Sequence, residues 1–544
     1  MMQEYMEGAM GRQTLQAPIL TRTLAAELAG DFSLPDYQPE IKRLLRIGTN
    51  ILPPNRFAGN DGVEMQGMLD YYVLYMGHDN GVYCAPLSTE YTMRAETETP
   101  PSVGVGEPLV CLCDATAEPA TGRVTAPRRL HIRCKIKADV KLYGEYPLEG
   151  DGGEDSTLEK LTDTAEVGRL YWGMGEALPL TDDVILPPAQ GEMRVVCAEG
   201  KVMMSEATPT DGSIHCRGEV ALKLTLCPAE NEEEFASDTT EGRISPPLTV
   251  LQRKIPFTQA VDVAGVTPAC SVSACGYCTD ISVEMEEGRL HVDMTVVTEA
   301  RAQKNERITY VADLYSTRRT GVCRYATHPA ERALRAINGN FTLSDSLPLA
   351  EVGVDPAAKV ADVTATAVPE ALSVDRAKGR CLLTGTCRCH LLLLRDGEYA
   401  SADMTLPFRY EFDDQSVLQG DGQSEPADLL QVEGMPVFDG QITVVNCRAR
   451  MDGERVGVDA ELAVAIRTCQ PAPVTALSEA DFGEEVSRRR GEYVICFPAP
   501  TDSLWSVAKR YHAPMAALTA VNNLPTGVPC QATESLEGVG YLIV

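Results

Sequence analysis

Several kinds of residue and segment are scarce in this sequence, and each scarcity excludes some classes of function. Seven of its 544 residues are histidine, and no histidine stands in metal-ligand spacing with a second one. The apolar run 391–394 has the length of a strand, and no apolar run approaches the about eighteen residues that span a bilayer. The first twenty residues lack a basic start followed by an apolar core, so they do not have the pattern of a secretory signal. We therefore expect a protein without a transmembrane segment that stays in the cytoplasm.

The short motifs of common enzyme classes are also missing. The sequence has no phosphate loop of the Walker type, no zinc-protease helix signature and no nucleophile elbow. The pairs Gly104/Gly106 and Gly173/Gly175 lack a third glycine, and we interpret them as turns. These absences predict no catalytic residue, no cofactor and no enzymatic activity.

Positive charge is scarce relative to negative charge. The chain has 48 lysines and arginines against 78 aspartates and glutamates, a formal net charge of −30. Such a surface repels phosphate, which disfavours nucleic acid and anionic membranes as partners. The same charge is typical of a protein with a basic partner and of one that is merely soluble.

Cysteine is abundant, with 18 residues scattered singly through apolar stretches. In a chain without an export signal this distribution indicates reduced thiols, without a disulfide framework. Cys275 and Cys278, with Cys270 nearby, have a spacing seen in zinc sites, but a fourth ligand and a second paired motif are not evident. Cys387 and Cys389 would share one face of a strand. We favour burial as small hydrophobic side chains and predict no metal; a metal or redox role is the alternative.

Internal repetition is the most informative feature of residues 31–470. Three segments, 67–75, 218–226 and 385–393, show polar–apolar alternation that opens on a glycine. Alternation of period two is typical of a strand with one face on a core. Each segment is followed by a second strand with a central aromatic residue. These aromatic residues are Tyr91, Phe257 and Phe408.

A second landmark, an arginine that opens a later alternating strand, recurs in the same order. These arginines are Arg129, Arg289 and Arg455. The repetition predicts three diverged copies of one antiparallel β domain, each a two-part sandwich. We divide the chain into an N-terminal segment (1–30), β units 1 to 3 (31–150, 169–325 and 335–470), polar linkers (151–168 and 471–491) and a C-terminal module (492–544). An acidic insertion at 231–245 is the predicted exposed loop of the second unit.

The sequence pattern changes in the C-terminal module, where we expect the order strand, helix, helix, strand. Thr501 and Asp502 offer an N-cap for the first helix. The apolar face of that helix, at spacings i, i+3, i+4 and i+7, consists of Leu504, Val507, Ala508 and Tyr511. Pro514 can begin the second helix, and the asparagines at 522–523 can end it.

These residues carry two family resemblances. The C-terminal module, with Thr501–Tyr511 followed by the asparagine pair and a closing strand, resembles a LysM domain. The upstream units, with 34–41 followed by the strand at 67–75, look like the SPOCS domain of spore-coat-associated proteins. Together they resemble the SipL-like family of spore coat morphogenesis proteins. The resemblance implies a mainly β fold with three tandem antiparallel SPOCS-like domains, followed by a small α+β LysM domain of order βααβ.

The resemblance also implies a function. It suggests a non-enzymatic scaffold or adaptor of spore coat assembly in the mother-cell cytoplasm at the forespore surface. Its protein partner would be a SpoIVA-like morphogenetic ATPase, bound through the LysM domain. The alternative is a peptidoglycan-binding or chitin-binding protein that holds N-acetylglucosamine in the LysM groove.

The candidate binding residues serve either alternative. They are Thr501, Asp502, Ser503, Trp505, Asn522 and Asn523. Pro500 replaces the glycine usual before the acidic–hydroxyl pair, and Pro514 replaces a serine or threonine, both near loops that hold sugars in LysM domains. Trp505 lies on the flank of the helix face, where it either covers the core rim or anchors a partner.

Overall fold

Long antiparallel strands make up most of the chain. The computed structural model describes residues 14–59, 61–97, 109–148, 155–186, 193–228, 247–286, 289–375, 379–413, 437–486, 494–522, 533, 535–536 and 539–544. Twenty-five strands and three short helices occupy these residues. The prediction of a mainly β chain is confirmed. The acidic insertion at 231–245, the pair Gly104/Gly106 and Asn523 lie outside the described residues.

The first sheet pair, residues 14–147, consists of two antiparallel sheets. Its strands are β1 (Thr14–Ser33), β2 (Ile41–Ile51), β3 (Asn55–Gly59), β4 (Gly62–Gly77), β5 (Val82–Glu96), β6 (Val110–Ala117), β7 (Thr121–Ala126) and β8 (Arg129–Pro147). In one sheet, β4 pairs with β5 on one side and with β2 and β3 on the other. In the second sheet, β8 pairs with β1 on one side and with β6 and β7 on the other.

The second sheet pair, residues 158–316, repeats this connectivity. Its strands are β9 (Leu158–Met174), β10 (Leu178–Ile185), β11 (Met193–Thr210), β12 (Ser213–Pro228), β13 (Thr249–Asp262), β14 (Ser271–Glu286) and β15 (Arg289–Ser316). β12 lies between β11 and β13, and β15 lies between β14 and the successive strands β9 and β10. Residues 211–212 form the two-residue loop between β11 and β12, where Gly212 has a φ of +80°.

The third sheet pair, residues 331–471, has the same pairing order. The elements of this part of the chain are β16 (Arg319–His328), β17 (Glu331–Pro348), α1 (Leu349–Val352), β18 (Lys359–Asp375), β19 (Arg380–Arg395), β20 (Glu398–Asp413), β21 (Val437–Asp452), β22 (Arg455–Pro471) and β23 (Val474–Glu485). β19 lies between β18 and β20, and β22 lies between β17 and β21. β16 and β23 form a separate two-stranded sheet. Each sheet pair encloses its own hydrophobic core, with buried residues from both of its sheets.

The glycine and arginine landmarks occupy equivalent places in the three sheet pairs. Each glycine lies mid-strand, directly opposite an aromatic residue of the neighbouring strand. The pairs are Gly67–Tyr91, Gly218–Phe257 and Gly385–Phe408. A Cβ atom added to any of these glycines would lie 2.4 to 2.9 Å from an atom of the opposite ring. The ring therefore fills the space above the glycine, which explains why the two residue types recur together. Each landmark arginine is the first residue of β8, β15 or β22.

The observed strands differ from the sequence division at its boundaries. β1 pairs with β8 along its length, so the boundary at residue 31 falls inside a strand. The segments 151–168 and 471–491, expected as linkers, contain the start of β9 and the whole of β23. β23 pairs with β16 and β9 pairs with β15. These strands have many exposed polar side chains, and their composition is therefore that of a linker.

Buried ion pairs join the first and second sheet pairs. The Glu299 carboxylate of β15 is fully buried and accepts hydrogen bonds from Arg56 of β3, at 2.6 Å, and from Arg301, at 2.8 and 3.0 Å. Arg301 also donates to both carboxylate oxygens of Asp114 in β6, at 2.6 and 3.0 Å. Two guanidinium groups thus balance two carboxylates between strands of different sheet pairs.

The other two interfaces are also polar and buried. A cluster from β8, β17, β21 and β22 joins the first and third sheet pairs. Its members are Lys141, Tyr143, Glu331, Asp439 and Arg467. Between the second and third sheet pairs, the Asn338 side chain donates to the Ala274 carbonyl at 2.6 Å and accepts from its amide at 2.8 Å. Every sheet pair therefore contacts the other two.

Equivalent positions of the three sheet pairs meet in one central cluster. The pairing register shifts at two bulged residues in each of β2, β11 and β18. One of the two lies at an equivalent position in each strand, and these equivalent bulged residues are Leu45, Val196 and Ala361. All three pack in one hydrophobic cluster with residues of β4, β12 and β19. The three sheet pairs are therefore arranged around a common axis with approximate threefold symmetry.

The C-terminal module, residues 494–544, has the order strand, helix, helix, strand. Its elements are β24 (Ile495–Cys496), α2 (Leu504–Tyr511), α3 (Met515–Val521) and β25 (Leu542–Ile543). The two strands pair antiparallel. Leu504, Val507 and Ala508 of the predicted helix face are buried in the core of the module, and Tyr511 is half-buried.

Candidate functional site

The first helix of the C-terminal module begins at a different cap from the predicted one. Ser503, and not Thr501 or Asp502, is the N-cap of α2. Its hydroxyl accepts a hydrogen bond from the Ser506 amide at 3.1 Å, and the Ser506 hydroxyl accepts one from the Ser503 amide at 2.9 Å. This reciprocal capping satisfies two amides that the helix itself leaves unpaired. Ser503 therefore has a structural role, and Thr501 is exposed beside it.

Asp502 is buried and closes the loop ahead of α2. Its carboxylate accepts hydrogen bonds from the Arg510 guanidinium, at 2.5 and 3.2 Å, and from the Ala499 amide, at 2.9 Å. The Arg510 hydrogen bond, followed by the backbone one, holds the pKa of Asp502 below its usual value. The Asp502 carbonyl also accepts from the Leu536 amide at 2.8 Å. The carboxylate thus already has partners within the module.

Asn522 ties the second helix to the closing strand. Its side-chain amide donates to the carbonyls of Leu518 and Ile543, each at 2.8 Å. Its side-chain oxygen accepts from the Ile543 amide, also at 2.8 Å. Asn522 has a φ of −97°, so it ends α3 without a left-handed conformation. Asn522 therefore links the backbone of α3 to the backbone of β25.

Trp505 is buried against another part of the same chain, with 6% of its surface exposed. Its ring meets Tyr315 of β15 edge-on, with centroids 4.9 Å apart, and its indole N–H donates to Asp313 at 2.8 Å. Lys509 also reaches Asp313, at 2.5 Å, and the Tyr315 hydroxyl donates to the Ala513 carbonyl at 2.7 Å. The flank position of Trp505 on the helix is thus occupied by β15. In this arrangement Trp505 fixes the module to the second sheet pair and is not presented to solvent.

Asp313 is the electrostatic centre of this contact. Burial tends to raise its pKa, but hydrogen bonds from Lys509, Trp505 and Tyr325 outweigh burial and keep the pKa below its ordinary value. The carboxylate is therefore charged at neutral pH and holds two groups of α2 at once. The C-terminal module is docked through a charged and hydrogen-bonded contact as well as through aromatic packing.

An exposed apolar surface lies on the outer face of the small sheet. We name it the apolar sheet face, and it consists of Ile495, Phe497 and Tyr541, which are 59%, 75% and 58% exposed. The register pairs Cys496 with Leu542, and both of these residues are buried against the helices. Successive side chains of a strand alternate between its two faces, so Tyr541, which precedes Leu542, and the residues that flank Cys496 point away from the helices. Sequence reasoning missed this surface because 494–497 is apolar throughout and lacks the polar alternation that would mark an outer face.

The cysteines are spread through the cores. All 17 cysteines of the described residues are free thiols, and 14 of them are buried. Burial raises the pKa of Cys275 and of Cys278 to about 12, and therefore little thiolate forms at neutral pH. Within the described ranges, no group of three or more histidine, cysteine or acidic side chains is placed to hold a metal ion.

The longest described helix, α2, has eight residues, and no described helix is both long and apolar enough to cross a membrane. No family model, no curated protein and no solved structure matches this chain.

Proposed function

We propose that this chain is a non-enzymatic scaffold or adaptor of spore coat assembly. In this proposal the three sheet pairs are SPOCS-like domains and the C-terminal module is a LysM-like domain. The module binds a SpoIVA-like morphogenetic ATPase at the forespore surface, in the mother-cell cytoplasm. The observation that carries the proposal is the apolar sheet face of the C-terminal module.

The composition of this face favours a protein partner. Three large apolar side chains lie in or directly beside two paired strands, whereas exposed apolar residues elsewhere are mostly single. Clustered exposed aromatic and aliphatic side chains are typical of protein interfaces. Asp502, Ser503 and Asn522, which were expected near a sugar groove, are engaged in hydrogen bonds that hold the module together.

The docking of the module supports a scaffold role. Trp505 and Lys509 bind β15, so the apolar sheet face has a fixed direction relative to the second sheet pair. A partner bound there would be held at a defined position on a large β platform. Rigid placement of one partner against another surface is what an adaptor requires.

The test compares a change in the apolar sheet face with a matched change elsewhere. We would make Phe497→Ser in the full chain and, as the control, Phe57→Ser, because Phe57 of β3 is also an exposed aromatic residue, at 57%. Binding to a purified SpoIVA-like ATPase is measured by titration calorimetry. We expect Phe497→Ser to weaken binding by about 2 kcal/mol, as for a hot-spot aromatic residue, and the control to leave it unchanged.

The same purified protein separates this proposal from its alternative. Titration with chitin oligomers tests binding of N-acetylglucosamine by the exposed Thr501 region. Tight binding of the oligomers without binding of the ATPase would make the glycan-binding alternative correct. Equal effects of the two phenylalanine substitutions would remove the apolar sheet face from the proposal.

A further inference from the structure

A cavity of about 770 Å³ lies where the three sheet pairs meet. Its walls come from β2, β7 and the turn before β7 in the first pair, from β11 to β13 of the second and from β18 to β21 of the third. A volume between about 300 and 1,000 Å³ is usual for a site that binds a small molecule. The cavity is therefore a site that no single sheet pair could form.

The charge of the cavity is opposite to that of the chain. Among the described residues, seven lysines and arginines line it, against two carboxylates, Glu199 and Asp403. The whole chain carries a formal charge of −30. Part of the positive charge is balanced by nearby groups, since Arg253 pairs with Asp182 and Lys254 pairs with Glu461. The concentration of cations in one cavity of an acidic protein points to an anionic ligand.

The inner wall presents a buried guanidinium group. Arg46 is 5% exposed and pairs with Glu199 at 3.1 Å and with Asp362 at 3.5 Å. Lys223 lies beside it and pairs with Asp362 at 2.5 Å. The Nε atom of Arg46 is buried and has no hydrogen-bond partner among the described residues. A buried N–H without an acceptor costs free energy, which an anion in the cavity would recover.

The outer wall carries cations that are not neutralised. Arg388 of β19 and Arg448 of β21 are exposed and form no ion pair with any described residue. Arg448 donates one hydrogen bond, to the side-chain oxygen of Gln252, at 2.6 Å. Lys201 also lines the cavity; it donates to Asn50 at 3.0 Å, and burial lowers its pKa. Cations therefore line the cavity from its buried end to its opening.

We propose that this cavity binds a small molecule with two or more phosphate or carboxylate groups. Arg46 would meet one anionic group at the inner wall, and Arg388 and Arg448 would meet another at the opening. The part of the lining that the structure describes includes no phenylalanine, tyrosine or tryptophan, so recognition depends mainly on charge and hydrogen bonds. Because all three sheet pairs line the cavity, the bound anion would also strengthen their association.

The experiment titrates the full chain with inorganic pyrophosphate and, separately, with citrate, in low-salt buffer by calorimetry. We expect one saturable site per chain, with an affinity that falls as sodium chloride is added. A stronger response to pyrophosphate would identify a phosphate ligand, and a stronger response to citrate a carboxylate ligand. Absence of a saturable site for both probes would overturn the proposal.

Matched variants locate the site. The double variant Arg388→Gln/Arg448→Gln removes two exposed cations from the opening and should weaken binding at least about tenfold. Arg409→Gln is the control, because Arg409 is an exposed arginine of β20, the strand that contributes Asp403 to the lining, but does not itself line the cavity. It should change the affinity less than about twofold. Equal weakening per removed charge in both variants would show general charge attraction and refute the assignment of this cavity.

Discussion

The buried ion pairs between the first and second sheet pairs make a quantitative prediction for Glu299→Gln. The wild-type carboxylate faces Arg56 and Arg301, and Arg301 also binds Asp114. Glutamine has nearly the same shape but no charge, so the cluster changes from two cations and two anions to two cations and one anion. Removing one partner of a buried ion pair costs about 3–5 kcal/mol, since the other charge is left without compensation.

The pKa of Glu299 gives a second and independent estimate. Burial alone would raise the pKa, but Arg301 and Arg56 outweigh it and lower the pKa from 4.5 to about 2. A difference of this size corresponds to roughly 3 kcal/mol of stability. Because the pKa is lower in the folded protein, this contribution is complete above about pH 4.5 and is lost as the pH falls toward 2.

Urea unfolding, followed by circular dichroism between pH 7 and pH 2.5, measures both effects. At pH 7 we expect the variant to be less stable by about 3–5 kcal/mol. As the pH falls below about 4.5, the difference between wild type and variant should shrink, because Glu299 is then protonated in the unfolded chain while it stays charged in the folded chain down to about pH 2. Glu96→Gln, at an exposed ion pair with Arg94, is the control and should cost less than about 1 kcal/mol. A difference below about 1 kcal/mol at pH 7, or one that does not shrink in acid, would refute the reasoning.

Three further predictions concern the landmarks, the docked module and the thiols. Gly385→Ala places a Cβ 2.5 Å from the Phe408 ring and should destabilise the chain by about 1–3 kcal/mol in urea unfolding, whereas Gly59→Ala meets no atom within 4 Å and should not. Trp505→Ala removes the ring packed on β15 and should lower the local stability of the docked C-terminal module by about 3–5 kcal/mol. Amide hydrogen exchange in α2 should therefore become faster, and unchanged exchange would contradict the docking. Thiol titration should label few cysteines quickly in the native protein, since 14 of the 17 described ones are buried, and all 18 after unfolding; fast labelling of most thiols in the native state would contradict the buried positions.

Strand positions were predictable from the sequence where the chain alternates strongly. The pairs of a glycine and an aromatic residue, such as Gly218 and Phe257, lie opposite each other because the ring occupies the space that a side chain would need. Such a local steric match leaves a recognisable pattern. β1 and β23 were not recognised as members of sheets, because their partners β8 and β16 are more than 90 residues away and their exposed faces are polar. Pairing over such distances leaves no periodic signal in either segment.

The candidate site was predictable only in its local structure. The helix face of Leu504, Val507 and Ala508 follows from spacing alone, and the structure buries it. The partner of Trp505 lies about 190 residues earlier, in Asp313 and Tyr315, which no helical periodicity reveals. The cavity between the sheet pairs was equally invisible, because it is formed by strands from all three of them.

The bulges at the threefold axis have a consequence for how the three repeats became distinct. The residue after each bulge is Arg46 in the first repeat, Cys197 in the second and Asp362 in the third. In a homotrimer of identical subunits, one residue type would occur three times at this place, and three arginines or three aspartates would repel one another. Joined in a single polypeptide, the repeats could diverge, and a cation now pairs with an anion across the axis at 3.5 Å. The third repeat therefore cannot be exchanged for a second copy of the first without loss of this ion pair, since two arginines would then come together.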